Sequence, residues 1–424
     1  MKKIFFPVYI LLCFGSIIAM QHTNMLFPYE YILDSDRMFY EHLCGDFQIN
    51  IRAEMGYNFF GYPVSEISNI IGGYNIASDK RNPLQYLNKQ ESILASFCGS
   101  AEDTWQGQFI EKFTPYRGVT ASQILSFNGD IAIESFCTQG ETWITPHIKI
   151  GYYLPFYHFA LQSLDVDLQK KVHFLEDSIC SNIYDQYQKT AAAKVKPHNL
   201  IGMGDSEFLI SWQHYFLEER DFITAIFASI RTGLYIPSGM FNSSILKTLL
   251  KIPFGYDSGI GIPFGGTIEI DVTSYFGCGI NADCVTFFPS LKERAIKTDL
   301  RQTDMLLCHD ALSLVNPGFR ESFSVYATLF DENKTYLGTL AYQYNKQNDS
   351  DIILCNSSFS NVIAQSAVVL ENWTNHNLIV SLMGFTQLVE TSCHIRYELF
   401  LKFGLQGCRS IVGNSYGIQI TIFF

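Results

Sequence analysis

Ser415-Tyr416-Gly417-Ile418-Gln419-Ile420-Thr421-Ile422-Phe423-Phe424 closes this sequence, and its alternation decides the fold. Ile418, Ile420, Ile422 and Phe424 share one parity, while Gly417, Gln419 and Thr421 share the other. Successive strand side chains point to opposite faces, so the run presents an apolar face and a mostly polar one. Termini are usually exposed and loosely held, and a soluble chain seldom ends on a bare aromatic pair. A strand that closes a lipid-embedded barrel ends where aromatic rings favour the membrane interface. The expected fold class is therefore all-β, a transmembrane antiparallel β-barrel.

The same alternation recurs along the chain. From Asp46 to Met55, Phe47, Ile49, Ile51, Ala53 and Met55 alternate with Asp46, Gln48, Asn50, Arg52 and Glu54. A helix would scatter those polar residues around its axis, whereas a strand separates them. Further amphipathic runs lie at 143–154, 207–216, 222–236, 266–276, 321–330, 336–344, 376–384 and 396–404. Weaker ones lie at 92–98, 119–126, 130–137 and 362–370. Runs near ten residues match a tilted membrane strand, and their number predicts a barrel of about 12–14 strands with long, partly helical loops.

Lys2 and Lys3 precede an apolar run from Ile4 to Ala19, followed by polar Gln21 and His22. This predicts a signal peptide over 1–19, with Ile17 and Ala19 at the positions a signal peptidase reads. No other stretch is long and apolar enough for a helical span. The chain is nevertheless 47% hydrophobic and only 17% charged, as expected where each lipid-facing residue is paired with a polar one. Net charge is −12, and loss of Lys2 and Lys3 makes it −14, which excludes general nucleic-acid affinity.

The predicted organisation is a signal peptide at 1–19, an N-terminal extension or plug at 20–45, and a barrel over 46–424. A helical insertion is expected at 162–190, where Leu168, Val172, Leu175, Ile179, Ile183 and Tyr187 fall at helical spacing. Ser163 would cap it, with Asp165 and Asp167 in its first turn. A shorter helix is expected at 240–252, and 281–318 reads as irregular. Three Gly-x-x-aliphatic-Pro segments, ending at Pro155, Pro237 and Pro263, are expected at strand ends or edges, because proline donates nothing to a ladder.

Enzyme signatures are absent: the sequence has no HExxH, GxSxG or Walker loop. His376 with Ser381 is the best candidate for a rim hydrolase, and no local motif supports it. His147, His158, His173 and His198 are scattered without ligand spacing, so no metal or cofactor is expected. Of eleven cysteines, Cys278 with Cys284 and Cys393 with Cys408 are spaced to close short disulfide loops; the alternative is small apolar side chains without bonds. The parity of the strands would send Arg52, Glu54, Lys149, Arg231, Glu269, Asp271, Glu398 and Lys402 into one interior. Opposed charges there either set the selectivity of a pore or pair to fill a narrow barrel.

The leader-like start, the repeated short strands and the terminal aromatic run together resemble bacterial outer-membrane β-barrel proteins. The resemblance implies location in the outer membrane, contact with its lipid, and insertion by the barrel-assembly machinery, which would recognise Gly417, Ile420, Ile422 and Phe424. Mature length and the extended segment before Asp46 are similar to those of long-chain fatty-acid channels, which carry an N-terminal plug. The asparagine-proline-alanine block of that family has no counterpart here. The expected function is a non-enzymatic channel passing small solutes, hydrophobic ones included. The alternatives are an outer-membrane lipase or protease, or a surface adhesin whose 162–190 segment binds a partner.

Overall fold

The computed structural model describes residues 47–62, 82–85, 107–108, 111, 125–168, 198–220, 223–239, 259–300, 302, 307, 309–331, 335–355, 358–387 and 394–424. Residues 1–45, where a signal peptide and a plug are expected, lie outside them. The strands, in chain order, are β1 (Phe47–Tyr62), β2 (Leu125–Thr145), β3 (Ile148–Leu168), β4 (His198–Met203), β5 (Ser206–Arg220), β6 (Ile223–Ile236), β7 (Gly261–Asp271) and β8 (Phe276–Phe287). They continue as β9 (Ser290–Ile296), β10 (His309–Asn316), β11 (Arg320–Phe330), β12 (Tyr336–Gln347), β13 (Asp351–Leu354), β14 (Trp373–Gln387), β15 (His394–Cys408) and β16 (Ser410–Phe423).

Twelve of these strands close on themselves, in the order β1, β2, β3, β5, β6, β7, β8, β11, β12, β14, β15, β16 and back to β1. Every neighbouring pair is antiparallel. Closure gives each of the twelve strands a partner on both sides, which is what a sheet in hydrocarbon requires. The seam between first and last strand is bonded along its length, from Gln48 opposite Phe423 to Tyr62 opposite Ser410. At its foot the Phe424 N–H donates to the Phe47 carbonyl (3.0 Å), and the two rings stack with centroids 6.4 Å apart. The terminal aromatic residue thus fastens the barrel seam.

The two ends of the barrel differ. Phe47 and Phe424 lie at the end where the connections are short, at 146–147, 221–222, 272–275, 331–335 and 388–393. The long connections all leave the opposite end. Two of them supply a separate sheet of β9, β10 and β13, whose Ile296, Ala311, Val315, Ile352 and Leu354 pack against Ala364, Ala367 and Leu370. Those last residues belong to the five-residue helix α1 (Asn361–Gln365) and the segment after it, including a 3-10 turn at Val368–Leu370. At this same end β15 and β16 are joined tightly through Arg409, at φ 49°. Its guanidinium is held by the Glu371 carboxylate (2.5 Å) and the Asn372 carbonyl (2.9 Å).

Polarity follows parity around the wall. On β1, Phe47, Ile51 and Met55 are exposed outward, whereas Gln48, Asn50, Arg52 and Glu54 are buried inward. On β7, Ile262, Phe264 and Ile268 face out and Glu269 and Asp271 face in; on β11, Phe323, Val325 and Leu329 oppose Ser324, Tyr326 and Thr328. An apolar exterior with a polar interior inverts a soluble protein and defines a membrane barrel. A bulge between Tyr57 and Phe60, with Asn58 at φ 51°, shifts the parity of β1, so that Phe59 points inward.

Several sequence expectations are corrected. Residues 162–168 are strand, not helix: β3 runs to Leu168, and Ser163, the expected helix cap, instead donates its hydroxyl to Asp130 Oδ2 on β2 (2.6 Å). The rest of the expected insertion, 169–190, and the helix expected at 240–252 lie outside the described residues. The 281–318 stretch is not irregular, since it holds the end of β8 and all of β9 and β10. In β9 it is Lys292 and Arg294 that are buried while Leu291 is exposed, so hydrophobicity alone conceals the strand. The 143–154 run is broken by the turn between β2 and β3, and 362–370 is mostly helical.

Pro155 and Pro263 lie within strands, not at their ends. A residue's N–H and C=O point to the same side of a strand. The Pro155 carbonyl accepts from Gly204 N–H (2.9 Å) at the β4–β5 junction, where β3 exchanges one partner for the other. The Pro263 carbonyl accepts from the Thr232 hydroxyl (2.9 Å), beside the gap in β6–β7 pairing between Thr232 and Tyr235. Each missing donor therefore falls where the ladder is already interrupted. Cys278 and Cys284 are both free thiols on β8. Six residues of strand hold their Cα atoms about 20 Å apart, well beyond disulfide reach. Cys408 is also a free thiol, and Cys393 lies outside the described residues.

Candidate channel interior

All eight inward-facing candidates, Arg52, Glu54, Lys149, Arg231, Glu269, Asp271, Glu398 and Lys402, are buried on the inner wall. They form separate groups around the circumference. On the seam side, Glu54 is the hub. Its Oε2 lies 2.8 Å from Arg52 Nη2 and its Oε1 3.2 Å from Lys402 Nζ, and it also accepts the Ser415 hydroxyl. The three ionic residues come from β1 and β15, across the intervening β16. Arg52 also lies over the Phe400 ring, 4.4 Å from its centroid. That ring crosses β16 at Gly417, where a Cβ would collide with Phe400 and with the Ala53 carbonyl. Gly417 thus has a packing role inside the wall.

A second group spans β1, β2 and β3. Glu141 takes Lys149 Nζ at 2.8 Å and Gln139 Nε2 at 2.6 Å, and accepts from Gln48 as well. The third lies on the opposite wall. Arg231 of β6 reaches past β7 to Asp283 of β8, with Nε–Oδ1 2.8 Å and Nη2–Oδ2 2.7 Å, and touches Thr267 and Asn281 on the way. The residue beneath this bridge is Gly265, opposite both Arg231 and Asp283 in the ladders. A Cβ there would overlap Asp283 Oδ1 and approach the Ala282 carbonyl to 2.7 Å. Glu269 and Asp271 are held by the Tyr326 and Tyr215 hydroxyls, at 3.2 and 3.1 Å. Between the charged groups runs a neutral ladder, Asn345 to Asn375 (2.9 Å) and Asn377 to Gln343 (3.1 Å).

Sequence reasoning missed Glu141, Asp283 and Arg396. Arg396 shares the parity of Glu398 and Lys402 and was legible on that ground; in the structure it donates to Thr421 Oγ1 (3.2 Å) and lies over the Phe423 ring. Asp283 fell in the stretch read as irregular. The hydrolase pair is corrected: His376 sits among outward-facing side chains, with Tyr342 OH 2.6 Å from its Nδ1 and the Tyr344 ring beside it, whereas Ser381 is buried on the inner face of β14. Opposite faces of one strand cannot bring base and nucleophile together. Ile418, Ile420 and Phe424 project outward and Gly417 inward.

No protein-family model matches the sequence, and no curated protein matches it. Among solved structures it is similar to an outer-membrane channel of Pseudomonas putida F1, 7% identical over 90% of this chain and 96% of that one, with a TM-score of 0.46. It is also similar to the Pseudomonas putida toluene transporter TodX (8% identical, 97% and 96% covered, TM-score 0.30) and to the CymD monoaromatic hydrocarbon channel (7%, 91% and 88%, TM-score 0.29). Likenesses this distant carry no argument about activity. The class of protein, a twelve-stranded membrane-type β-barrel, rests on the closure and the polarity of the wall.

Proposed function

We propose that this chain is an outer-membrane channel for small solutes, with Arg52, Glu54, Lys149, Arg231, Glu269, Asp271, Glu398 and Lys402 lining its path. One observation carries the reading: the inner wall of a closed barrel is charged on facing sides, while the outer wall is apolar. Desolvating an ion is costly, and well-packed apolar residues fill a core as well or better. A wall that retains ionic groups around its circumference, paired with one another and each at most 8% exposed, fixes a polar field within the barrel that a passing solute would cross. Opposed charges set a transverse field, which favours polar or zwitterionic solutes over hydrocarbons. The outward row Ile420, Ile422 and Phe424, with Gly417, serves in this reading as the signal for the barrel-assembly machinery.

Reconstitution of the tag-free protein into planar bilayers tests the proposal. Discrete conductance steps are expected, together with uptake of small zwitterions by proteoliposomes in swelling assays. Absence of both conductance and swelling would end the transport reading and leave the barrel standing.

A further inference from the structure

His147 and His214 are 67 residues apart in sequence, yet their Nδ1 atoms lie 3.2 Å apart at the short-turn end of the barrel. We propose that this pair is a chelating site for a borderline-soft divalent cation such as Zn2+, Ni2+ or Cu2+, with water completing the coordination shell. The geometry carries it. Two histidine nitrogens bound to one tetrahedral ion at about 2.0–2.1 Å each stand about 3.3 Å apart, so the observed spacing needs almost no adjustment. The rings meet edge-on, at 60° with centroids 4.7 Å apart, rather than stacked face to face.

Both rings are held in place. His147 occupies the turn between β2 and β3, where its own N–H and that of Ile148 approach Thr145 Oγ1 (3.3 and 3.0 Å). Its carbonyl accepts from Gln213 N–H (2.8 Å), which ties the turn to β5 one residue before His214. His214 is fixed between Phe216, edge-on at 4.2 Å, and Trp212, stacked at 6.2 Å. Both histidines are only half-buried, at the short-turn end of the barrel. In the metal-free state one Nδ1 must carry a proton that the other accepts. When the cation binds, the ring that carries its proton on Nδ1 shifts it to Nε2 by exchange with water, with no net proton release, so that both Nδ1 lone pairs bind the ion. Binding then fastens the β2–β3 turn to β5.

Isothermal titration of the tag-free, detergent-solubilised full-length barrel with ZnCl2, and separately NiCl2, tests the site. One equivalent is expected to bind, and His147→Ala is expected to weaken binding at least about tenfold, a loss of the size seen even for outer-sphere partners. His214→Phe, which keeps the ring packing against Phe216 and Trp212, should weaken it equally, while His214→Cys, which keeps a soft ligand, should retain it. The parent's thermal unfolding midpoint should rise on saturation and that of His214→Phe should not. Zn2+ affinity unchanged in His147→Ala and His214→Phe, or lowered as much by His309→Ala, overturns the assignment.

Discussion

Replacing Glu54 by alanine is expected to destabilise the folded barrel by about 3–5 kcal/mol, the cost of breaking a buried pair by removing one partner. Glu54 is the shared anion of Arg52 (2.8 Å) and Lys402 (3.2 Å), and its side chain is 1% exposed. Without it, two cations remain on adjacent parts of the wall, and Lys402, 4% exposed, has little access to water to solvate its ammonium. Glu54→Gln keeps an acceptor for the Ser415 hydroxyl but removes the charge, so it should recover only part of the loss. Joint replacement, Glu54→Ala with Lys402→Met, should be milder than Glu54→Ala alone, because most of the cost lies in the orphaned charge. Urea unfolding in a lipid or detergent phase measures all three. A change below about 1 kcal/mol for Glu54→Ala would show that the seam network carries no net burden.

Gly265→Val is expected to cost a similar amount, about 3–5 kcal/mol, though it adds only apolar atoms and removes no charge. Its Cβ would occupy the position of Asp283 Oδ1 and press on the Ala282 carbonyl. Backbone cannot yield there without opening the β7–β8 ladder, so the carboxylate must leave Arg231. The substitution therefore acts as a charge-pair deletion carried out sterically, in addition to ordinary overpacking. Arg231→Ala breaks the same bridge from the other end. The two changes should be strongly non-additive, the double variant costing far less than the sum, whereas changes at independent sites would simply add. Additive losses would mean that Gly265 serves the backbone and not the Arg231–Asp283 bridge.

The parts of this molecule that were legible in sequence are those where lipid enforces a period of two. Asp46 to Met55 and Ser415 to Phe424 alternate cleanly because hydrocarbon lies on one face, and Gln48 to Met55 proves to pair with Tyr416 to Phe423 across the seam. Inward parity was correspondingly readable for Arg52, Glu54, Glu398 and Lys402. Beyond the membrane the same logic fails. The β9 segment Ser290-Leu291-Lys292-Glu293-Arg294-Ala295-Ile296 places its basic side chains on the covered face and a leucine on the open one, so its pattern reads backwards. The upper part of β3 was mistaken for a helix start because Ser163 and the acidic residues after it imitate a cap.

Contacts across the circumference were beyond reach for a different reason. That Arg231 passes over Gly265 to Asp283 depends on which strands are neighbours and in what register, and one strand alone contains neither fact. His147 and His214 show the same limitation: neither has a ligand-like spacing in the chain, and only the pairing of Ile148 with Trp212 brings them together.

The central claim is that this wall separates lipid from a polar interior, residue by residue. Fluorophores placed singly at positions 47 to 55, in vesicles containing a quencher confined to the acyl chains, test it most directly. The structure predicts strong quenching at Phe47, Ile49, Ile51, Ala53 and Met55, and little at Gln48, Asn50, Arg52 and Glu54. Uniform quenching, or the opposite alternation, would contradict it.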